Sequence, residues 1–113
     1  MLTKTLQGIS VPLYSKEIDL DLMTFVERYA TNLTRWDVLV YFGKHPEASE
    51  NVESIARHVG RRAGVVVKEL DDLTYLGILA ARQNGHGMLY ELARRQELQR
   101  TVMRLAQYYD QPV

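Results

Sequence analysis

The chain has 113 residues, 46% of them hydrophobic, which suits one domain with a modest core. It contains no cysteine, which excludes disulfides, thiolate metal sites and thiol switches. Its 14 basic residues balance 14 acidic ones, so net charge does not indicate a nucleic-acid partner. No apolar run approaches the ~20 residues that span a bilayer, and the N-terminus lacks the features of a secretory signal, so we expect a cytoplasmic protein.

The first part of the chain predicts an extended arm followed by a helix. Residues 1–15 show no regular period, and Pro12 disfavours a helix there, so we interpret them as an extended arm. From about residue 16 to residue 31, apolar side chains recur at three- and four-residue steps, as in an amphipathic helix: Ile18, Leu22, Phe25, Val26 and Tyr29.

A second helix is predicted from the segment "TRWD" onward. Thr34 could cap it with its hydroxyl while Asp37 reaches back, which is a variant of the capping box. The segment that follows, "RWDVLVYFGKH", is apolar on nearly every side, and such a helix is buried from more than one direction. Pro46 then ends this helix, which has about eleven residues. Because it is apolar on nearly every side, we expect it at the centre of the protein.

A short third helix and a turn come next. Asn51 is a suitable N-cap for a helix over about residues 52–59, and Gly60 permits the turn that follows. Basic side chains gather at this turn, which is a weak signal for an anionic partner: Arg57, His58, Arg61 and Arg62.

The fourth helix is predicted over about residues 62–76, with Gly77 as its C-terminal glycine. The valines at positions 65–67 favour a strand on their own. The spacing of the larger apolar residues outweighs them, because a strand would put Leu70 and Leu73 on opposite faces.

The remaining chain predicts a hairpin and a last helix. "NGHG" lies between two short apolar runs, and Asn-Gly in that position is a strong hairpin signal. The strands are expected at about residues 78–82 and 88–92. A helix over about residues 93–109 then carries one apolar stripe along its side.

This order of elements is that of a winged helix-turn-helix, and residues 33–92 resemble the MarR-type winged-helix transcription regulators. The matching positions are Gly60 for the turn glycine, the end of the recognition helix at Leu70, Leu73, Leu76 and Gly77, and the start of the wing at Ile78 and Leu79. The resemblance implies a mainly α fold with a small two-stranded β-wing, which is a winged helix-turn-helix with extra N- and C-terminal helices.

The expected domain organisation has three parts. An extended arm over residues 1–15 precedes a winged-helix domain with its leading helix over residues 16–92, whose core lobe is 33–92. Residues 93–113 form a C-terminal dimerisation helix.

The resemblance also implies that helix 62–76 lies in the major groove of duplex DNA. The predicted contact residues at its N-terminal end are Arg61, Arg62, Gly64, Val65 and Lys68. Arginines can contact phosphate or a guanine edge, glycine allows close approach, and valine can touch a thymine methyl. In the alternative interpretation the two arginines are solvated turn residues, and Lys68 pairs with Asp71 or Asp72 on the helix surface.

The wing, residues 78–92, is expected on the adjacent minor groove or the DNA backbone. Arg82, Asn84 and His86 are the predicted contacts, with Arg82 as the best candidate for a cation at the hairpin tip. Alternatively, Asn84 is there to make the turn and His86 is a polar residue at the tip.

A homodimer is expected because the apolar stripes of the two outer helices exceed what a lobe of about 60 residues covers. The predicted interface comprises Ile18, Leu22, Phe25, Leu98, Val102, Leu105 and Tyr109.

Aromatic residues such as Trp36, Tyr29 and Tyr108 could line a pocket for a small-molecule effector between the dimer arms and the DNA-binding lobe. A role in the core and the dimer interface explains the same residues without a ligand.

Other functions find little support in the sequence. His45, His58 and His86 fall in different predicted elements without a helical His pair, so we expect no metal site and no cofactor. No catalytic motif is present, so we expect no enzyme activity.

We predict a homodimeric, sequence-specific, DNA-binding transcription regulator. The alternative is a winged-helix protein–protein interaction module that uses Val65, Val67, Tyr75 and the acidic residues of the same helix.

Overall fold

The computed structural model describes residues 4–6, 9–11 and 20–109. In chain order its elements are β1 (Lys4–Leu6), β2 (Ile9–Val11), α1 (Leu20–Tyr29), α2 (Leu33–Lys44), β3 (Ser49–Glu50), α3 (Val52–Val59), α4 (Ala63–Tyr75), β4 (Leu79–Asn84), β5 (Gly87–Leu92) and α5 (Gln96–Tyr109). The chain is therefore mainly helical with a small antiparallel sheet, as the sequence predicts. None of the described helices is long and apolar enough to cross a membrane.

Helix α2 lies at the centre, as its all-round apolar character predicts. The helix packs against α3, α4 and α5, and six consecutive residues of it are buried: Val38, Leu39, Val40, Tyr41, Phe42 and Gly43. The predicted cap is wrong. Asn32 caps the helix, since its Oδ1 accepts a hydrogen bond from the Arg35 amide at 2.8 Å, and Thr34 lies inside the first turn.

Helices α1 and α5 pack beside α2 and complete one core. Leu98, Val102, Leu105 and Ala106 form the buried side of α5. Gly43 of α2 faces this side, because a Cβ built on it would lie 2.7 Å from the Ala106 Cβ and closer still to the Val102 carbonyl oxygen. The two helix backbones therefore approach each other at a point where only glycine fits.

The sheet has three strands in the order β3-β5-β4, one more than predicted. The additional strand pairs with the free edge of β5, with Ser49 opposite Glu91 and Glu50 opposite Tyr90. Two polar residues carry no periodic signal, so local sequence could not reveal this strand. The β4–β5 hairpin itself is confirmed, with Leu79 opposite Leu92 and Asn84 opposite Gly87.

The N-terminal segment contains a short hairpin that the sequence did not predict. Strands β1 and β2 pair antiparallel, with Lys4 opposite Val11 and Leu6 opposite Ile9. Helix α1 is described from Leu20, so the predicted start of this helix near residue 16, including Ile18, lies outside the described residues.

Candidate nucleic-acid interface

The turn between α3 and α4 forms as predicted. Asn51 caps α3, with its Oδ1 accepting a hydrogen bond from the Ser54 amide at 2.9 Å. Gly60 ends α3 with φ of 71°, a left-handed conformation that glycine adopts without steric cost. Arg62 has extended backbone and precedes α4, which begins at Ala63 and runs through the three valines as a helix.

Helix α4 is divided into a buried and an exposed face. Val66, Leu70 and Leu73 are fully buried, as the spacing predicts. Gly64, Val65 and Lys68 lie on the exposed face near the N-terminal end, and nothing lies within 4 Å of a Cβ built on Gly64. The predicted contact residues of α4 are therefore accessible to a partner on one side of the helix.

The exposed face of α4 borders a groove of about 520 Å³ that reaches to the wing. Its lining includes Asn51, Gly64 and Val67 from the helix-turn-helix, and His86 and Met88 from the hairpin. Of the predicted DNA-contact residues, the groove is lined by one from the helix, Gly64, and one from the wing, His86.

The two arginines of the turn differ in their surroundings. The Arg61 guanidinium donates from Nε and Nη2 to one carboxylate oxygen of Asp37, at 2.9 and 2.8 Å, and is tied to α2. Arg62 is exposed, and no carboxylate of the described residues pairs with it. Of the two predicted contacts, Arg62 is the one whose charge is not already engaged.

A shallow concavity of about 500 Å³ at this turn adds a residue that the sequence prediction omitted. Arg57, Arg61 and Arg62 all line it, together with Glu53. Arg57 is exposed, and among the described residues it has no ion-pair partner. The cluster of basic residues in the sequence was a signal for Arg57, although it did not distinguish this side chain from its neighbours.

The acidic residues of α4 contact groups of their own chain. Glu69 is 7% exposed and is the single buried charged residue among those described. Its Oε1 lies 2.8 Å from Nε of Arg35, whose Nη2 lies 3.1 Å from Oδ2 of Asp72. Lys68 also approaches Asp72 at 3.4 Å, an exposed contact worth only ~0.2–0.5 kcal/mol. The sequence carried no signal for Arg35, because the partners are 34 and 37 residues apart.

The third carboxylate of α4 joins the helix to the sheet. The Tyr90 hydroxyl donates to Oδ1 of Asp71 at 2.8 Å. Burial and this hydrogen bond raise the pKa of Tyr90 to about 12, so the phenol stays protonated and keeps donating. Since Tyr90 lies in β5, the contact sets the position of the wing relative to α4.

At the wing, both strands reach closer to the turn than predicted. Gly85 and His86 occupy the turn, while Asn84 ends β4 and accepts a hydrogen bond from the His86 amide at 2.8 Å. Gly87 supplies the positive φ, 129°. His86 therefore lies at the tip, where a DNA groove would be reached first.

Arg82 lies on the body of the wing, which corrects its predicted place at the tip. Its Nη2 donates to the Ser49 hydroxyl at 3.2 Å, and its Nε lies 3.5 Å from Glu91. The side chain thus crosses one face of the sheet. It remains exposed, and its contact with DNA stays a prediction.

Two of the three histidines lie together, although the sequence placed them in different elements. The rings of His45 and His58 lie 5.1 and 5.0 Å from the Tyr41 ring, and Nε2 of His58 is 3.7 Å from Glu50. Glu50 also accepts hydrogen bonds from Ser54 and Tyr41, which hold the pKa of this carboxyl below its usual range. No group of three potential metal ligands occurs within the described parts of the chain.

The predicted dimer residues are mostly part of the core of the single chain. Five of the seven are buried by their own protomer, which corrects the expectation of an exposed stripe: Leu22, Phe25, Leu98, Val102 and Leu105. Ile18 and the side chain of Tyr109 lie outside the described residues. The reason is that α2 is long and apolar enough to cover α5, and α5 in turn covers α1.

The outer surface of α1 and α5 nevertheless exposes large apolar side chains. Leu20, Met23 and Tyr108 are all at least 46% exposed. Beside them lies an apolar groove of about 280 Å³, whose lining includes Trp36 and Tyr108 of the predicted effector pocket. Tyr29 instead packs on Phe25, with ring centroids 5.0 Å apart.

Comparison with known proteins identifies the fold. No protein-family model matches the sequence, and no curated protein matches it. Among solved structures, HlyU from Vibrio cholerae has a TM-score of 0.64 at 16% identity over 84% of this chain and 96% of that chain. The winged helix-turn-helix domain of Mb0332 from Mycobacterium bovis has a TM-score of 0.60 at 22% identity, covering 90% and 91%. Staphylococcus aureus MepR, in a complex with DNA, has a TM-score of 0.56 at 14% identity, covering 82% and 73%.

The chain has a winged-helix fold. Its structural neighbours include transcription regulators: the Mycobacterium bovis domain is homodimeric and is described as a possible ArsR-family regulator. These neighbours do not distinguish the MarR type from other winged-helix regulators. In winged-helix terms, α3 and α4 form the helix-turn-helix and the β4–β5 hairpin is the wing.

Proposed function

We propose that this winged-helix protein is a homodimeric transcription regulator of the cytoplasm that binds duplex DNA in a sequence-specific way, as its resemblance to the MarR type implies. Helix α4 enters the major groove, and the wing lies on the adjacent minor groove or the backbone. The observation that carries the proposal is the distribution of charge on α4. Its carboxylates are engaged by Arg35, Lys68 and Tyr90, whereas its N-terminal end is flanked by arginines.

Carboxylates on a recognition helix would be expected to repel DNA, but those of α4 are engaged by groups of the same chain. Glu69 is buried and neutralised within the chain, so it presents little charge to a partner. Arg62, which precedes α4, and Arg57, in α3, are both exposed at the turn before the N-terminus of α4, the end at which recognition helices contact base edges and phosphates. The local field at the N-terminal end is therefore positive although the chain as a whole is neutral.

The test measures fluorescence anisotropy of a labelled random-sequence duplex from low to physiological salt. Each phosphate neutralised contributes ~0.9 to the slope of log affinity against log salt concentration, so the wild-type slope counts phosphate contacts. The Arg57→Ala/Arg62→Ala variant should weaken binding and lower the slope by about 1.8. This pair is preferred to Arg61, whose replacement would leave Asp37 without its partner.

The matched control is Arg28→Ala/Arg100→Ala, which removes the same charge from exposed positions on α1 and α5. It should leave the slope unchanged if the contacts are local to the turn. Absence of binding at low salt by the folded wild-type protein would refute the proposal. An equal loss of affinity in both variants would mean that DNA is attracted by the overall positive side chains and not bound at an interface on α4.

For the homodimer, the exposed apolar side chains of α1 and α5 are the proposed contact. A twofold axis there would present two recognition helices to half-sites about 34 Å apart. Sedimentation equilibrium should show twice the mass of the chain, and Met23→Glu, on the exposed side of α1, should shift the protein to monomer. A monomeric wild-type protein at micromolar concentration would refute the dimer.

A second function is favoured by one observation. Tyr75 is 90% exposed at the C-terminal end of α4, and Leu33 and Leu76 are exposed apolar residues. Such residues are common at protein interfaces, so a winged-helix module that binds a protein through Val65, Val67 and Tyr75 is the alternative. In that case Tyr75→Ser, and not the loss of Arg57 and Arg62, would abolish capture of the partner.

A further inference from the structure

Arg35, in the first turn of α2, lies across the middle of α4. Its Nε is 2.8 Å from Oε1 of Glu69, and its Nη2 is 3.1 Å from Oδ2 of Asp72. The Arg35 side chain is only 11% exposed, so it is not available to a phosphate outside the protein. One planar guanidinium therefore joins two carboxylates that lie three residues apart on one face of α4.

Asn32 holds the same assembly from the cap of α2. Its Oδ1 accepts the Arg35 amide at 2.8 Å, and its Nδ2 donates to Oε2 of Glu69 at 3.2 Å. Both carboxylate oxygens of Glu69 are thus bonded to α2 or to its cap. The start of α2 is fixed against one turn of α4 by directional contacts.

Apolar packing alone would leave this arrangement less defined. Val66, Leu70 and Leu73 provide most of the burial on α4, but hydrophobic contact is not directional and permits small rotations or shifts. Two contacts from a rigid guanidinium restrict both the rotation of α4 and its position along its axis. Partly buried ion pairs of this kind add little net stability, because the cost of desolvation offsets the attraction between the charges.

We propose that Arg35 is a positioning residue that sets the register of α4 on α2 and so the direction in which Gly64, Val65 and Lys68 face. The role in DNA binding rests on the proposed function. The register itself is a property of the free protein. Glu69 and Asp72 therefore serve to orient the helix rather than to bind a partner.

The decisive variant is Arg35→Met/Glu69→Leu, which replaces both buried partners by apolar groups and leaves the net charge unchanged. A pair replaced in this way is often neutral or stabilising, so the urea midpoint should be retained or raised. Affinity for the random-sequence duplex should fall by about tenfold, because α4 is no longer held in one register. The salt slope should not change, since no phosphate contact is removed.

The matched control is Arg100→Met/Glu47→Leu, which makes the same exchanges at exposed positions outside that ion-pair network and outside the apolar groove beside α1, and should alter neither affinity nor slope. Unchanged affinity of a stable Arg35→Met/Glu69→Leu variant would overturn the proposal. If that variant does not fold, Arg35→Lys provides the test. A single amine keeps the charge but cannot bridge both carboxylates as the guanidinium does, so affinity should again fall.

A measurement without DNA separates this proposal from the proposed function. The chain has no cysteine, so spin labels can be placed at Val65→Cys and Arg100→Cys without other changes. Electron paramagnetic resonance is recorded on doubly labelled protein mixed with an excess of unlabelled protein, so that a homodimer contains at most one labelled chain. It should show one narrow distance distribution with Arg35 present and a shifted or broader one in Arg35→Met/Glu69→Leu. Identical distributions would overturn the positioning role. Failure of the wild-type protein to bind DNA would refute the proposed function alone.

Discussion

Replacing Gly43 by alanine adds one methyl group where α2 crosses α5. The new Cβ would lie 2.7 Å from the Ala106 Cβ and closer still to the Val102 carbonyl oxygen. The carbonyl belongs to the backbone of α5 and cannot rotate away as a side chain would. Accommodating the methyl group therefore requires the two helices to separate.

Two effects of opposite sign determine the result. Alanine is favoured over glycine in a helix interior by ~1 kcal/mol. Overpacking a well-filled core costs ~1–3 kcal/mol, and a clash with backbone falls at the upper end of that range. We therefore expect Gly43→Ala to lower the free energy of unfolding by about 2 kcal/mol.

Urea titration followed by circular dichroism measures this change. With a typical slope of ~1–3 kcal/mol per molar urea, the midpoint should fall by about 1 M. Gly64→Ala is the matched control, because it is also a helical glycine but has open space around its Cβ. It should raise stability by up to ~1 kcal/mol. A Gly43→Ala midpoint at or above that of the wild type would refute the close crossing of α2 and α5.

Three further predictions concern the N-cap of α3, the hydrogen bonds that Glu50 accepts and the proposed DNA-binding surface. Asn51→Ala removes the acceptor for the Ser54 amide and should cost ~1 kcal/mol in urea titrations; an unchanged midpoint would mean that the cap is dispensable. Hydrogen bonds from Ser54 and Tyr41 hold the pKa of Glu50 below its ordinary value of 4.5, so its contribution to stability is present above pH 4.5 and is lost as the pH falls through the lowered pKa. Glu50→Gln should therefore flatten the acid limb of stability plotted against pH, and a limb as steep as in the wild type would contradict this assignment. Arg62→Ala alone should lower the salt slope of DNA binding by about one, and an unchanged slope would place Arg62 outside the interface.

Features that depend on neighbours in the sequence could be predicted from it. Asn51 and Gly60 mark the ends of α3 because a cap and a left-handed turn require only local backbone geometry. The burial of α2 followed from its composition, and the helical state of residues 65–67 from the spacing of Leu70 and Leu73. These local signals were sufficient for the order of the helices and the wing hairpin, and hence for the winged-helix fold.

At the start of α2 the sequence prediction chose the wrong cap. Asn32 caps the helix in place of the predicted Thr34. Asn32 also bonds Glu69 of α4, while Asp37, the expected partner of Thr34, pairs with Arg61. A capping motif records only what neighbouring residues can do, whereas each side chain in the folded protein can also reach residues distant in the chain.

What the sequence determined by itself was the list of helices, the turn glycine and the hairpin, because each follows from contacts within a few residues. Only the tertiary structure decided which charges remain accessible. Arg35 and Glu69 are 34 positions apart, so their pairing leaves no local pattern. The acidic residues of α4 argue against DNA in the sequence, but each of them contacts a group of its own chain in the folded protein: Glu69 and Asp72 contact Arg35 of α2, and Asp71 contacts Tyr90 of β5.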